Sequence, residues 1–371
     1  MDLLNLRKYG VPIYAVGWVP SGAMVFNDNE GFQHYPVLAG GGGEGRSGIP
    51  NAVLISSFDS RSNSLSEQPI GRISLGTELP YRMAVHPGGN GVLCALPDRC
   101  KFYEWDKTKE EKTTDFSLKE SETSLPQLEN IDQQLSLAFD SDSVMLACGG
   151  ENGKLRVFKW PSMESIIEKD EVHPSVKDLC FSLDGKFLVS LGRSACKVWD
   201  VSSAKELVTL PKENDDVFVS CRFSQTQENT HVLYVAAIKG SSGCIHSWNA
   251  TSWSKISSKK IPCESVSSFD ASADGRLLAV GTADGNIMIL RAEGMRPLPV
   301  IKKAHLGIVT ALAFSKDSRI LLSASMDSSA RVTKIESLKI RGGNLSFWMV
   351  IVAVLLLLVA YIFMKGHIYK I

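Results

Sequence analysis

One pattern of apolar and polar positions recurs along the chain. A short apolar strand ends near a phenylalanine, a polar turn follows, and a second apolar strand comes after the turn. Short strands separated by turn residues predict an all-β structure built from antiparallel hairpins. The clearest copies are LSLAFDSDSVMLACGG (135–150), VKDLCFSLDGKFLVSLG (176–192), VSSFDASADGRLLAVGT (266–282) and VTALAFSKDSRILLSAS (309–325), and weaker copies lie at 15–28, 82–96 and 219–237.

The spacing of these copies indicates the kind of repeat. Periods of about 40–45 residues are typical of WD-repeat propeller blades, each of which is a four-stranded sheet. Seven copies therefore predict a seven-bladed β-propeller over residues 1–335. In the clearest part of the chain the first strand ends at intervals of 42, 42, 48 and 43 residues, at Phe139, Phe181, Phe223, Ala271 and Phe314.

Further positions agree with WD repeats. Residues 197–200 read KVWD, which is close to the Trp-Asp dipeptide that gives these repeats their name. His173 and His305 precede two copies at positions where WD repeats often carry histidine, and we expect each to make a structural hydrogen bond within its blade.

Two features of the ring are less regular. We expect a strand near 13–19 to close the ring by pairing with the last strands, near 330–335. The stretch 107–130 is polar and charged and lacks a clear period. It is therefore predicted to be an exposed excursion between the second and third blades.

The C-terminal tail has a different pattern. Residues 347–364 read FWMVIVAVLLLLVAYIFM and contain no charged residue. A helix of this length spans about 27 Å, close to the thickness of a thin bilayer. The run therefore predicts a single transmembrane helix, after a tether over 336–346 and before a stub over 365–371. Because the start of the chain lacks the apolar core of a signal peptide, we expect the propeller in the cytosol and the stub in the lumen.

Composition excludes some functions. Lys and Arg number 40, as do Asp and Glu, so the formal net charge is zero, which argues against a broadly basic nucleic-acid-binding protein. The eight cysteines include no C-x-x-C pair, and several lie in apolar strands, so we expect reduced, buried thiols. No Ser-His-Asp order, paired-carboxylate site or metal-ligand cluster stands out, so covalent catalysis is not predicted.

The stretch AGGGGEGRSGIPN (39–51) raises a question of chemistry. Residues 40–47 read G-x-x-x-x-G-R-S, and a nucleotide-binding P-loop reads G-x-x-x-x-G-K-[ST]. A P-loop joins a strand to a helix whose N-terminus faces phosphate. Here another apolar strand follows, at 52–58, and Arg46 replaces the lysine. The stretch is therefore interpreted as a glycine-rich loop between two strands of the first blade.

Two interpretations of this loop remain open. Because glycine permits backbone torsions closed to other residues, the loop can fold back and direct several carbonyls at one point. Such a cage suits a weakly hydrated monovalent cation, as carbonyl rings do in potassium channels. The alternative is a flexible surface loop, which composition alone favours. The rigid corner Ile49-Pro50-Asn51 argues for the cage.

The propeller pattern, the motif AGGGGEG-x-x-GIPN and a single C-terminal anchor together resemble the Sec-twelve family, which includes prolactin regulatory element-binding protein. Those proteins are ER-membrane guanine nucleotide exchange factors for the small GTPase Sar, which starts COPII coat assembly. Residues 40–45 and 48–51 agree with the family motif, and weaker similarity covers most of 13–335. The resemblance implies a non-covalent exchange factor that binds GDP-bound and nucleotide-free Sar at the ER, for ER-to-Golgi transport.

The resemblance also implies residue roles. In this family the first-blade loop is held by a potassium ion and projects against the GTPase. Asn51 falls on the key polar residue for exchange, and Ile49 and Pro50 fall on the apolar contact. The implied potassium loop, which acts mainly through backbone carbonyls, consists of Gly41, Gly42, Gly43, Glu44, Gly45, Arg46, Ser47 and Gly48.

A second class of function stays open. Most WD propellers are interaction platforms, so an ER-anchored scaffold that binds cargo or coat proteins without exchange activity also fits the sequence. The two classes differ in whether GDP release depends on Asn51. A short apolar anchor suits the ER and the early Golgi alike, and a luminal stub of seven residues argues against regulation through the lumen.

Overall fold

The computed structural model describes residues 4–21, 32–45, 47–105, 118–213, 215–226 and 230–336. These residues form 31 β-strands and two short 3₁₀ helices, at Pro126–Leu128 and Glu293–Met295. Within the described ranges there is no helix with the length and apolar character needed to cross a membrane. The predicted anchor (347–364), the stub (365–371) and all but the first residue of the tether lie outside them.

The strands are short and follow one another closely along the chain. Those of the first half are β1 (Leu6–Lys8), β2 (Ile13–Trp18), β3 (Gln33–His34), β4 (Pro36–Gly40), β5 (Ala52–Ile55), β6 (Phe58–Asp59), β7 (Ser64–Leu65), β8 (Gly71–Ser74), β9 (Arg82–Val85), β10 (Gly91–Ala95), β11 (Cys100–Trp105), β12 (Leu118–Glu120), β13 (Gln134–Phe139), β14 (Met145–Gly150), β15 (Leu155–Lys159) and β16 (Ser165–Lys169). Those of the second half are β17 (Asp178–Phe181), β18 (Phe187–Leu191), β19 (Cys196–Asp200), β20 (Lys205–Leu210), β21 (Asp216–Gln225), β22 (His231–Lys239), β23 (Ser242–Asn249), β24 (Lys255–Ile261), β25 (Val266–Ala271), β26 (Leu277–Thr282), β27 (Ile287–Arg291), β28 (Arg296–Pro297), β29 (Val309–Phe314), β30 (Ile320–Ser325) and β31 (Ser329–Lys334).

Seven four-stranded antiparallel sheets form the blades. Blade 1 is β2-β4-β5-β8, blades 2 to 6 take their strands consecutively from β9 to β28, and blade 7 is β29-β30-β31-β1. The first strand of each blade contacts that of the next, and the strand of blade 7 contacts that of blade 1, so the ring is closed. This arrangement is a seven-bladed β-propeller, as the repeat period predicts. A small sheet of β3, β6 and β7 accompanies blade 1.

The hydrophobic core lies between the blades. Seven apolar clusters each join the side chains of two neighbouring blades. For example, Ile13 and Leu38 of blade 1 pack with Leu322 and Val332 of blade 7. The middle strands, such as β10 and β26, are buried along their whole length because a blade covers each of their faces. The outer strands, such as β24, are mostly exposed.

The prediction of which strand closes the ring was wrong. Leu6–Lys8 pairs with β31, with Leu6 opposite Arg331 and Lys8 opposite Ser329. The predicted strand, Ile13–Trp18, is instead the innermost strand of blade 1 and pairs with β4. The physical reason is that an outermost strand needs no apolar run, so the three residues of β1 leave no hydrophobic pattern in the sequence.

The prediction of an exposed excursion at 107–130 is also wrong for the second part of that stretch. Leu118–Glu120 is the outer strand of blade 2, paired with β11. Leu125 and Leu128 are buried in the cluster between blades 2 and 3. Isolated leucines in a polar stretch therefore fasten it to the propeller. The first part of the stretch, 107–117, lies outside the described residues.

Both histidines named above are confirmed as structural. His173 Nε2 lies 3.0 Å from Ser190 Oγ, which also accepts a hydrogen bond from Trp199 Nε1 at 2.9 Å. His305 Nε2 lies 2.8 Å from Ser323 Oγ. Burial is the main reason that the pKa of each histidine is lowered, to about 4, so both rings are neutral near pH 7.

All eight cysteines are free, and seven of them are buried. Burial raises the pKa of the thiols of Cys94, Cys148, Cys196 and Cys221, and that of Cys100 to about 12. The thiolate is the reactive form, so these side chains act as small apolar residues of the core.

The up-and-down order of strands determines which loops share a face of the propeller. The loops between the second and third strands of each blade lie at the same end as the connections between blades. We call this end the glycine-loop face. Strand β31 runs away from it, so the described chain ends on the opposite face. The glycine-loop face carries loop 41–51 of blade 1, turn 326–328 of blade 7, and the connections 9–12, 75–81 and 298–308.

Candidate functional site

The glycine loop joins two antiparallel neighbours. Strand β4 ends at Gly40, directly opposite Ala52 of β5, so residues 41–51 form a hairpin loop. A P-loop requires a helix after the first strand, and here the chain returns as a strand. The interpretation of the stretch as a loop between two strands of the first blade is confirmed. Arg46 lies outside the described residues.

Glycine is required where the loop folds back on itself. A Cβ atom at Gly41 would overlap the side chain of Asn51, and one at Gly42 would overlap Ser47 Oγ. Gly43 and Gly48 have φ angles of +79° and +71°, a region that disfavours other residues. The run of glycines therefore lets the first part of the loop lie directly against its last part.

Asn51 fastens this folded loop from inside. The side chain is only 1% exposed. Its Oδ1 accepts a hydrogen bond from Gly43 N at 3.0 Å, and its Nδ2 donates to Gly43 O and Gly76 O, each at 3.1 Å. Its backbone carbonyl accepts a further bond from Leu75 N at 2.9 Å. Asn51 thus ties the glycines to the connection between blades 1 and 2 and lies beneath the surface.

The outer corner of the loop is apolar. Ile49 is 37% exposed, and Pro50 is exposed beside it. The backbone N–H of Ile49 donates to Ser47 Oγ at 3.3 Å, and proline restricts the torsions of the corner. Glu44, Gly45, Ser47 and Gly48 are exposed too. The loop therefore presents one apolar corner to solvent, supported from below by Asn51.

Neutral oxygen atoms line the inner side of the loop. Ile49 O lies 2.9 Å from the position that a Cβ on Gly42 would take and Ser47 Oγ borders the same space, whereas Asn51 Oδ1 lies against Gly41. Carbonyl and hydroxyl oxygens are the ligands that a potassium ion takes in place of water. The residues of the loop therefore fit this ion. Among the residues that the structure describes, no group of three His, Cys, Asp or Glu side chains is arranged to hold a metal.

Two anchoring points of the loop were missed in the sequence. Gly41 N donates to Pro12 O at 2.9 Å, which fastens the start of the loop to the connection from blade 7. Gly76 receives the amide of Asn51 at the other side. Both partners are backbone carbonyls, and a backbone carbonyl leaves no signal in the residue type. The turn-forming glycine at position 76 (φ +59°) was the one available hint.

Comparison with known proteins supports the repeat assignment. The family described as "WD domain, G-beta repeat" matches residues 131–159, 167–200, 256–290 and 296–333. These segments fall mainly on blades 3, 4, 6 and 7, where the repeat pattern is clearest.

Several relatives resemble the chain over most of its length. The chain is 46% identical to "SEC12-like protein 2" of Arabidopsis thaliana, covering 90% of this chain and 88% of the relative. It is 30% identical to "SEC12-like protein 1" of the same plant, over 77% and 71%. It is 23% identical to the "Guanine nucleotide-exchange factor SEC12" of Rattus norvegicus, over 83% and 84%. With its closed propeller and its glycine loop in the first blade, the chain belongs to the SEC12 family.

Proposed function

We propose that this protein is a guanine nucleotide exchange factor for a Sar-type small GTPase at the ER membrane, where it starts COPII vesicle budding. The rat relative is named as an exchange factor, and the motif that the family resemblance assigns to exchange is intact here. The observation that carries the proposal is the loop itself. A buried asparagine holds an exposed apolar corner, Ile49 and Pro50, in one fixed shape.

Such a loop suits nucleotide exchange, which needs no covalent chemistry. An exchange factor that binds the nucleotide-free GTPase more tightly than the GDP-bound form lowers the affinity for GDP by the same factor. Ile49 and Pro50 insert at the nucleotide-binding loops of the GTPase. Because the corner is already ordered, little conformational entropy is lost on binding. We assign Asn51 to positioning this corner, since its amide is engaged within the loop.

We further propose that the loop 41–48 holds a potassium ion. Its carbonyl oxygens, together with Ser47 Oγ, would be the ligands. The bound ion would supply positive charge at the centre of the loop and oppose repulsion among the converging carbonyls. The chain's own residues contribute the fold-back at Gly41 and Gly42 and the clamp of Asn51.

The location at the membrane rests on the predicted anchor, 347–364. The propeller is then cytosolic and the seven-residue stub luminal. Because β31 leads the chain out on the opposite face, the tether would attach there. The glycine-loop face then remains free to meet a GTPase that approaches from the cytosol.

The test is GDP release from a purified Sar-type GTPase, followed by tryptophan fluorescence. The full chain is placed in lipid nanodiscs, with potassium present. We expect release to accelerate with protein concentration and to saturate. Release that stays at the spontaneous rate with saturating protein would contradict the proposal.

A second candidate is a scaffold for cargo or coat proteins at the ER, without exchange activity. It is favoured by the names of the two plant relatives, which are given as SEC12-like. A scaffold would bind the GTPase or the coat with no preference for the nucleotide-free form. Comparing its affinity for GDP-bound and nucleotide-free GTPase separates the two candidates.

A further inference from the structure

Blade 7 carries an exposed apolar patch on the glycine-loop face. Leu306 is 79% exposed, the largest value for any large apolar side chain in the described residues, and Met326 is 46% exposed. Leu306 lies in the connection from blade 6, and Met326 begins the turn after β30. The two loops contact each other, because Met326 N donates to Ile308 O at 3.3 Å. They therefore form one patch.

The patch is held in place and contributes little to the core. Leu306 N donates to Asp327 Oδ2 at 2.6 Å, and Asp327 Oδ1 accepts from Ser329 N at 2.9 Å. Lys303 N, three residues earlier in the same loop, donates to Asn286 Oδ1 at 2.8 Å. An ordered loop that directs a leucine into water gains no burial from it within this chain. Its apolar surface is available to a partner.

The patch is continuous with the glycine loop through one short segment, 9–12. Tyr9 N at the start of this segment donates to Ser328 O of the blade 7 turn at 2.9 Å. Pro12 O at its end accepts from Gly41 N, also at 2.9 Å. The turn with Met326 and the root of the glycine loop are thus fastened to the same segment, on adjacent blades of one face.

The edge of the patch carries two lysines, beside the carboxylate of Asp327 that accepts from Leu306 N. Lys302 and Lys303 are exposed, and neither has a carboxylate partner among the residues that the structure describes. An apolar centre with a polar rim is the usual composition of a protein interface. The complementary surface is an apolar spot with acidic residues beside it.

We propose that Leu306 and Met326, with Lys302 and Lys303 at the rim, form a second docking site for the small GTPase. This inference rests on the proposed function and extends it from blade 1 to blade 7. The patch lies apart from the Ile49 corner, so it contacts the GTPase equally before and during nucleotide release. Contacts of this kind lower the concentration needed for half-saturation and leave the maximal rate unchanged.

The test compares two double variants of the full chain in nanodiscs. Leu306→Ser with Met326→Ser removes the patch, and Val144→Ser with Leu183→Ser removes exposed apolar side chains from the opposite face as a matched control. We expect the first variant to need about tenfold more protein for half-maximal GDP release, at an unchanged maximal rate. We expect the control to behave as wild type.

The rim is tested by Lys302→Glu with Lys303→Glu, which should slow association and weaken its dependence on salt. Because all four side chains of the site are exposed, melting temperatures should stay at the wild-type value. An active wild type beside a patch variant with unchanged half-saturation would overturn the docking site alone. A wild type that fails to accelerate GDP release would overturn the proposed function and the docking site together.

Discussion

The loop between the second and third strands is built in two different ways in blade 1 and blade 6. In blade 6 the second and third strands are joined by the short turn 283–286, and a Cβ at Gly285 would overlap the carbonyl oxygen of His305. In blade 1 the equivalent loop spans 41–51 and folds against itself. In blade 6, Gly285 lets the turn pack against the connection to blade 7. In blade 1, the run of glycines creates a projecting loop. A repeated fold can thus use the same position for packing in one blade and for a projecting loop in another.

The largest expected effect is a loss of exchange when the fold-back is blocked. Gly42→Ala would place a methyl group against Ser47 Oγ and Ile49. Because this displaces the Ile49 corner, we expect GDP release to slow about 100-fold. The matched control is Gly45→Ala, since a Cβ there meets nothing within 4 Å. If both variants retain the wild-type rate, the shape of the loop does not matter for exchange.

The next largest expected effect is a loss of thermal stability when the tight turn of blade 6 is disturbed. Gly285→Ala forces a Cβ into a backbone carbonyl at a φ of +76°. We expect the melting temperature of the full chain to fall by roughly 5 °C or more, with little change in exchange below that temperature. Calorimetry or fluorescence melting measures it. A loss of exchange without a fall in melting temperature would erase the contrast between the two loops.

The potassium proposal predicts a smaller effect that is confined to blade 1. Replacing potassium by sodium at constant ionic strength should slow exchange about fivefold and leave the melting temperature of the propeller unchanged. Sodium is smaller and holds its water more strongly, so it fits a carbonyl cage less well. Rubidium, which is close to potassium in size, should restore the rate. Equal rates in all three salts would contradict the cation site.

The smallest expected effect is a loss of stability at acidic pH, which arises from histidines of blades 4 and 7. The pKa of His173 and His305 is lowered to about 4, mainly by burial, whereas an unfolded histidine has a pKa of about 6.5. Between these values the unfolded state binds more protons. The stabilisation is therefore complete above pH 6.5 and is lost as the pH falls towards 4. We expect the melting temperature to decline over that range, and to decline less steeply in His305→Gln. If the melting temperature declines with pH equally steeply in wild type and variant, His305 is not a source of the acid sensitivity.

Much of the fold could be predicted because the blades repeat. The periodic apolar strands indicated seven blades, and the glycine loop was placed correctly between two strands. The closing strand β1 could not be found, because its three residues carry no apolar pattern. The stretch around Leu125 and Leu128 was misjudged because two buried leucines do not outweigh many polar neighbours.

The site was harder to predict than the fold. The sequence singled out Asn51, but polar residues in loops are mostly exposed, so its burial was not foreseen. Its partners, Gly43 and Gly76, are joined to it through backbone atoms. The Leu306 patch has no sequence signature, since its meaning depends on which face of the propeller it occupies.

The most direct test of the central claim compares wild type with Asn51→Ala and with Ile49→Ala in the GDP-release assay, with the full chain in nanodiscs. The claim is that Asn51 acts from beneath the surface by holding the exposed corner. It predicts that Asn51→Ala lowers the maximal rate about 100-fold, while loop amides near Gly43 exchange hydrogen faster and the melting temperature barely changes. Ile49→Ala should lower the rate without faster amide exchange. If Asn51→Ala keeps the wild-type maximal rate, or loses it with the loop amides as protected as before, the account is contradicted.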